Sequence, residues 1–227
     1  MNGQTDILNI IKNWRSIRKY KPDPVPENKI MAVLEAAQRA PSASNAQPWH
    51  FILIRDPETR KKLRKWALSQ NMVAQAPVVV ICCGDLDAFG QSRLRESLLH
   101  LVSAGAIEWS DEVIDNAILK NPVLAPFIEG PQQVFLAVVE QLSYAISFLC
   151  IEAINQGLGA CIIGGVAKGK VPAMVELSRQ IRETLELPEN MIPLLAVTIG
   201  YPDESPGPRP RKPLEKIVSW EKYGGKR

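Results

Sequence analysis

A chain of 227 residues is long enough to bury one sizeable core, and no composition shift or low-complexity linker divides it, so residues 1–227 are expected to form a single domain. Its 27 Lys and Arg exceed its 24 Asp and Glu by only three, a surplus too small to call for nucleic acid or an anionic membrane as partner. With two histidines and four cysteines that form no CxxC pair, zinc, iron–sulfur and other metal sites are not expected, nor are structural disulfides.

The first apolar stretch carries Asp6 and Lys12, and no run elsewhere is expected to approach the length of a bilayer-spanning helix, which points to a cytoplasmic protein without a membrane partner. Ile7, Ile10, Ile11 and Trp14 fall at helical spacing and predict an amphipathic helix that stops before Arg15-Ser16-Ile17-Arg18. Three prolines between Lys21 and Pro26 break the chain. Ile30, Val33, Leu34 and Ala37 then predict a second helix ending near Pro41. Trp49 to Arg55 reads as a buried strand. Asp56-Pro57 is a strong helix start, an N-cap residue followed by proline, for a basic helix containing Leu63 and Trp66.

Val78 to Cys83 is a second apolar strand, in which Cys82 and Cys83 face opposite ways. Residues 86–131 read as a helical insertion over the core, with helices around Leu94 to Val102 and Val113 to Leu119 and prolines at 122, 126 and 131. From Gln132 to Gln156 apolar residues come on nearly every side, the pattern of a central buried helix. Gly157 reads as its C-cap. Short strands follow at Ala160 to Ile163 and Ile192 to Ile199, with a helix between them over about Pro172 to Leu185. The proline-rich tail, about 201–227, carries Arg209-Pro210-Arg211-Lys212 and a helically spaced Leu214, Ile217 and Trp220. Strands and helices alternate too irregularly for a doubly wound sheet, so a layered α+β fold is expected.

The stretch most suggestive of function is Pro41-Ser42-Ala43-Ser44-Asn45-Ala46-Gln47-Pro48-Trp49. It has no charge, two hydroxyls and two amides, and its prolines limit the conformations it must give up on binding. Such a loop suits a neutral, planar, hydrogen-bonding ligand. A phosphate needs cations instead, and the two arginine clusters supply them if folding brings them together; otherwise each is a solvated basic face. Neither GxGxxG nor GxxxxGK[ST] occurs, but Gly164-Gly165 after a strand would let backbone N–H groups approach a ligand closely. Trp49 reads as core rather than as a stacking partner, His50 as facing the other way, and Trp109 and Phe127 as packing residues in the insertion, with capping of a substrate pocket as the alternative.

Four pieces in order carry a resemblance. Arg15-Ser16-Ile17-Arg18-Lys19-Tyr20, the loop from Ala40 to Trp49, Gly157-Leu158-Gly159-Ala160 with Gly164-Gly165, and Gly200-Tyr201-Pro202 before Arg209-Pro210-Arg211-Lys212-Pro213-Leu214 are together similar to the nitroreductase family of FMN-dependent oxidoreductases. The resemblance covers nearly the whole chain outside 86–131. It implies an α+β fold with a mixed, mainly antiparallel sheet flanked by helices, and a homodimer whose two FMN sites lie at the interface. It also implies a C-terminal arm extended onto the partner subunit.

The resemblance further implies that Arg15, Ser16 and Arg211, assisted by Arg209, hold the FMN phosphate, and that Arg18 lies near the ribityl chain or pyrimidine edge. Asn45 and Gln47 would contact the ring, while Pro41, Ser42 and Ala43 approach from the partner subunit. Ile163, Gly164 and Gly165 would form the turn passing the flavin N5. No side chain is assigned general acid or base work, because the flavin carries the chemistry. The implied reaction is NAD(P)H-dependent reduction of nitroaromatic, quinone or other electron-poor small molecules by a ping-pong mechanism. Dehalogenation, flavin fragmentation, substrate oxidation and non-catalytic flavin binding stay open at this point. Two departures stand out: Gly164 occupies a position where some nitroreductases carry an acidic residue, and Trp14 stands where many have another arginine.

Overall fold

Four apolar runs pair into one antiparallel sheet. A computed structural model, which describes residues 6–67, 69–164 and 179–227, contains β1 (Trp49–Ile54), β2 (Val78–Asp85), β3 (Gly159–Gly164) and β4 (Met191–Gly200) in the order β1-β2-β4-β3. All four expected strands form, and their ends differ from expectation by one or two residues. β2 and β4 hold the centre, and every residue of β2 is buried. A strand buried on both faces is apolar throughout instead of alternating, which is why Val78 to Cys83 was visible as a run.

The helices in chain order are α1 (Ile7–Lys12), α2 (Glu27–Gln38), α3 (Pro57–Trp66), α4 (Asn71–Gln75), α5 (Gln91–Ser103), α6 (Asp111–Val113) and α7 (Pro131–Asn155). Residues 179–184 are also helical; the rest of the helix expected from Pro172 lies outside the described residues. α3 starts as its sequence dictates: Asp56 Oδ2 accepts the N–H and the hydroxyl of Thr59, both at 2.7 Å, and Pro57 sits in the first turn.

One face of the sheet is covered by α2 and α7. Ile30, Val33 and Ala37 meet Val78, Val80 and Cys82 there, together with Val138, Leu142, Ile146 and Leu149. On the other face Val79, Ile81 and Cys83 pack with Leu63, Met72, Val73 and Ile181. The adjacent cysteines therefore do face opposite cores, as free thiols. Each fully buried Val, Leu or Ile contributes about 1.5–3 kcal/mol of transfer free energy.

α7 departs from expectation in two ways. Only one of its faces is buried within the chain, while Leu136, Tyr144 and Phe148 are exposed on the other and Phe135 is exposed near the helix start. Moreover, its 25 residues are long and apolar enough to cross a membrane, against the expectation that no run approaches that length. The face from Val134 to Ala153 belongs to the protein core. Gly157, at φ +74°, ends α7 in a Schellman arrangement: Leu158 N–H donates to Ala153 O and Gly157 N–H to Ile154 O, both at 2.9 Å.

The segment expected as a helical insertion is built from α5, α6 and a π-helical turn at Ile114–Ile118, around a core of Leu94, Leu98, Ile114, Leu119 and Ala125. Trp109 and Phe127 pack against that cluster. α1 ends at Lys12, short of Trp14, and leaves Ile7, Leu8 and Ile11 exposed.

Candidate functional site

The N-terminal arginine segment is wedged between β3 and the chain leaving β4. Ser16 bridges to Ala160 and Tyr20 to Pro202, with Ile17 N–H donating to Ala160 O at 3.1 Å and Lys21 N–H to Tyr201 O at 2.9 Å. Tyr20 anchors the segment from below. Its hydroxyl donates to Ile17 O at 2.6 Å and stands 2.8 Å from Thr198 Oγ1, and burial raises its pKa above the ordinary phenol value. Glycine makes this approach possible. A Cβ on Gly159 would come within 2.7 Å of Ile17 Cγ1, and one on Gly200 within 2.5 Å of Pro77 Cδ and 2.9 Å of Tyr20 Cδ1.

On this frame the cations are free for an anion. Arg15 Nη1 donates to Lys12 O at 3.0 Å and Trp14 O at 2.7 Å, and Arg18 Nη1 to Ser16 O at 3.3 Å. Arg211 Nη1 donates to Pro210 O at 3.1 Å. Among the described residues, none of Arg15, Arg18, Arg209 and Arg211 forms an ion pair, whereas Arg55, Arg93 and Arg95 each do. A guanidinium carries five N–H donors, so one or two carbonyl contacts leave it able to take a phosphate. Ser16 is half-buried.

The second cluster is not folded onto the first. Arg209 and Arg211 lie on an exposed tail, and among the described residues no hydrogen bond joins them to Arg15, Ser16 or Arg18. The same tail exposes Leu214, Ile217, Val218, Trp220 and Tyr223.

The loop before β1 is open to solvent at Pro41, Ala43, Asn45 and Gln47, with Ser42 half-buried. Its backbone folds on itself: Asn45 N–H donates to Ser42 O at 3.1 Å, and Gln47 N–H to Ser42 Oγ at 3.0 Å. Gln47 Nε2 reaches Asn45 O at 3.3 Å, while the Asn45 amide makes no hydrogen bond among the described residues. Ser44, Asn45 and Gln47 all have positive φ, a conformation that costs an L residue about 1–2 kcal/mol. Ser97 on α5 and Gln141 on α7 bond to this loop, and neither was singled out from the sequence. Gln141 left a trace, an amide on an otherwise apolar helix face; Ser97 left none.

Two concavities flank the loop. A cleft of about 280 Å³ is lined by Asn45, Gln47, Arg93, Ser97 and His100. A groove of about 590 Å³ on the other side is lined by Met31, Leu34, Gln47, Trp49, His50 and Phe51. Trp49 packs partly on the core, and His50 is exposed. Arg93 is tied to Asp85, whose buried carboxylate also accepts Asp87 N–H at 3.0 Å and Asn190 Nδ2 at 2.9 Å.

At the end of β3, Ile163 is 3% exposed and its side chain belongs to the core, so only its backbone can serve a ligand. Gly164 is exposed, and among the described residues a Cβ there would meet Leu195 Cδ2 at 3.6 Å, an ordinary contact. Packing among the described residues therefore does not require glycine at 164. Gly165 lies outside the described residues.

No group of three or more His, Cys, Asp or Glu able to hold a metal occurs among the described residues. The thiols are no better placed for chemistry. Burial pushes Cys83 and Cys150 up to about 12 and raises Cys82 and Cys161 as well, so all four are protonated at neutral pH.

Comparison with known proteins agrees with this frame. A family model described as the nitroreductase family matches residues 11–201. A protein of Thermus thermophilus named NADH dehydrogenase is 34% identical over 91% of this chain and 91% of its own length. An "FMN reductase [NAD(P)H]" of Bacillus subtilis is 28% identical over 96% of this chain and 74% of its own. Among solved structures, a nitroreductase-like protein of Streptococcus mutans superposes with a TM-score of 0.78 at 22% identity, covering 96% of this chain and 98% of that one. At that identity the likeness gives the α+β fold alone.

Proposed function

The chain belongs to the nitroreductase family, and from that premise we propose that it is an FMN-dependent oxidoreductase. It takes hydride from NAD(P)H and passes electrons to a nitroaromatic, quinone or other electron-poor small molecule in a ping-pong cycle. The observation that carries this reading is the presence, among the described residues, of two complementary sets of donors: arginines without carboxylate partners at 15, 18, 209 and 211, and an uncharged exposed loop whose Asn45 amide makes no hydrogen bond. FMN combines the two matching chemistries, a phosphate and a flat hydrogen-bonding ring. The names of the Bacillus subtilis and Thermus thermophilus relatives support the cofactor and the donor.

In this reading Arg15, Ser16 and Arg211 hold the phosphate, with Arg209 assisting. The fixed charge of Arg18 lies by the pyrimidine edge, where a cation favours the reduced ring. Asn45 and Gln47 hydrogen-bond the ring, and the backbone of Ile163 and Gly164, with Gly165 beyond it, lies along its reactive edge. The space beside Gly164 that a side chain would occupy fits such an approach. When bound, FMN supplies a ring that accepts hydride from one substrate and yields electrons to the next, so the chain needs no titrating catalytic side chain. Its own residues bind, orient and charge-balance that ring.

The working form is a cytoplasmic homodimer. Support comes from apolar surface left uncovered on α1, on the outer face of α7 and along the tail. Each tail, as an arm of about 201–227, would lie on the partner and bring Arg209 and Arg211 to a phosphate. Pro41, Ser42 and Ala43 would serve the flavin across the interface. Residues 86–131 form a helical excursion of the same FMN-binding domain, beside the ring loop.

The test is direct. Purified protein is expected to be yellow, and its flavin to bleach under NADH or NADPH in the absence of air and recover on addition of a quinone or nitroaromatic. A colourless protein that gains no flavin absorbance when incubated with FMN would sink the reading.

A further inference from the structure

Three residues of the loop before β1, Ser44, Asn45 and Gln47, have φ of 51°, 54° and 45°. Left-handed backbone crowds the Cβ of an L residue against a carbonyl oxygen, and of the three only Asn is common there. Such a conformation persists where its surroundings over-determine it. Here the surroundings are two helices. Ser97 Oγ, on α5, lies 2.8 Å from both Ser44 O and Asn45 O, so a single hydroxyl proton is shared between the carbonyls of two left-handed residues. Gln141 Oε1, on α7, accepts Ala43 N–H at 3.0 Å.

Neither side chain behaves as its place on a helix would dictate. A serine within a helix commonly bonds back to the carbonyl four residues earlier, as Ser143 does to Val139 O and Ser147 to Ser143 O on α7. Ser97 turns outward to the loop instead. Gln141 is 5% exposed among Val138, Leu142 and Ala145, where an amide without a partner would cost free energy that an apolar residue would not.

We propose that Ser97 and Gln141 are positioning residues for the flavin ring: they lock the loop from Ser42 to Gln47, left-handed at Ser44, Asn45 and Gln47, in the form that presents Asn45 and Gln47. This rests on the FMN reading above. Neither residue touches the ring; both act through the loop backbone, by removing the ordering that binding would otherwise require.

The experiment compares full-length Ser97→Ala and Ser97→Thr with wild type. Alanine is the best helix former, so α5 is not weakened by the first change. Ser97→Ala is expected to raise the FMN dissociation constant about fivefold to tenfold, the scale of one lost hydrogen bond. It should also shift the visible flavin spectrum and midpoint potential, while Ser97→Thr restores all three. Gln141→Leu is expected to weaken FMN binding and shift the spectrum in the same way. Ser97→Ala matching wild type in affinity, spectrum and potential overturns the inference, as does weaker binding with spectrum and potential unmoved. Failure of threonine to rescue also overturns it. Wild-type protein that takes up no FMN overturns the functional reading itself.

Discussion

Glu204 Oε1 accepts the backbone N–H of Lys19 at 3.1 Å and that of Arg18 beside it, tying the chain that leaves β4 to the arginine segment. Lys19 returns a bond through its carbonyl to Asp203 N–H at 3.0 Å. A carboxylate on two adjacent N–H groups is a charge-assisted contact worth more than a neutral one. Glu204→Gln should therefore cost about 1 kcal/mol and lower the thermal midpoint by about 2–4 °C, with Glu204→Ala lower still. Calorimetry on the three proteins gives the order, and equal midpoints would mean that Glu204 does not hold the segment.

The two basic residues at 211 and 212 separate a phosphate ligand from a solvated charge. Arg211→Ala is expected to cost about 1.5–3 kcal/mol of FMN binding, the loss of a hydrogen bond to a charged group. Lys212→Ala should retain its flavin. Flavin absorbance per chain after gel filtration reads both, and equal content would place the phosphate register elsewhere on the tail.

Phe148 stands exposed on the outer face of α7, one turn after the exposed Tyr144. If a second copy covers that face, Phe148→Glu buries an unpaired charge, at a cost of several kcal/mol. Dimer and FMN should then be lost together if, as proposed, each site draws on both chains. Light scattering and flavin absorbance on one sample test this. A monomer that keeps its FMN would show that one chain contains the whole site.

How far these features were legible depended on the range of the contacts behind them. The strands were readable because their apolar runs are local, and their ends were not, because pairing sets them: β2 reaches Asp85 since Asp85 pairs with Met191. α4 has five residues, too few to show a helical period. The loop and the arginines announced themselves by composition, whereas their supports lie far off in sequence: Ser97 is 53 residues from Ser44, and Glu204 is 186 from Arg18. Gly159 and Gly200 entered as letters of a motif, and their steric reason needed the positions of Ile17 and Tyr20. The half-buried state of α7 could not be read from its own sequence, since its exposed face and its core face are both apolar.

The four cysteines give a test of packing that is independent of flavin. Burial holds Cys83 and Cys150 at about 12 and raises Cys82 and Cys161, and all four are buried. The thiolate is the reactive form, so an aromatic disulfide reagent near pH 8 should find no fast-reacting thiol in the native protein and four once denaturant is added. A rapidly titrating native thiol would mean that one of the two cores opens readily.

Asp56 sets a pH dependence whose sign follows from its cap. Its hydrogen bonds from the Thr59 hydroxyl and N–H lower its pKa from the ordinary value of 3.8. The carboxylate thus contributes stability that is full above about pH 4 and is lost as the pH falls through the lower folded-state value. Asp115, held down by Arg95, has the same sign. Asparagine also caps helices but does not titrate here, so Asp56→Asn should lose less stability than wild type between pH 6 and about pH 3. Urea midpoints at the two pH values measure the difference. Parallel losses in the two proteins would mean that the charge of Asp56, as distinct from its cap geometry, contributes nothing to the helix.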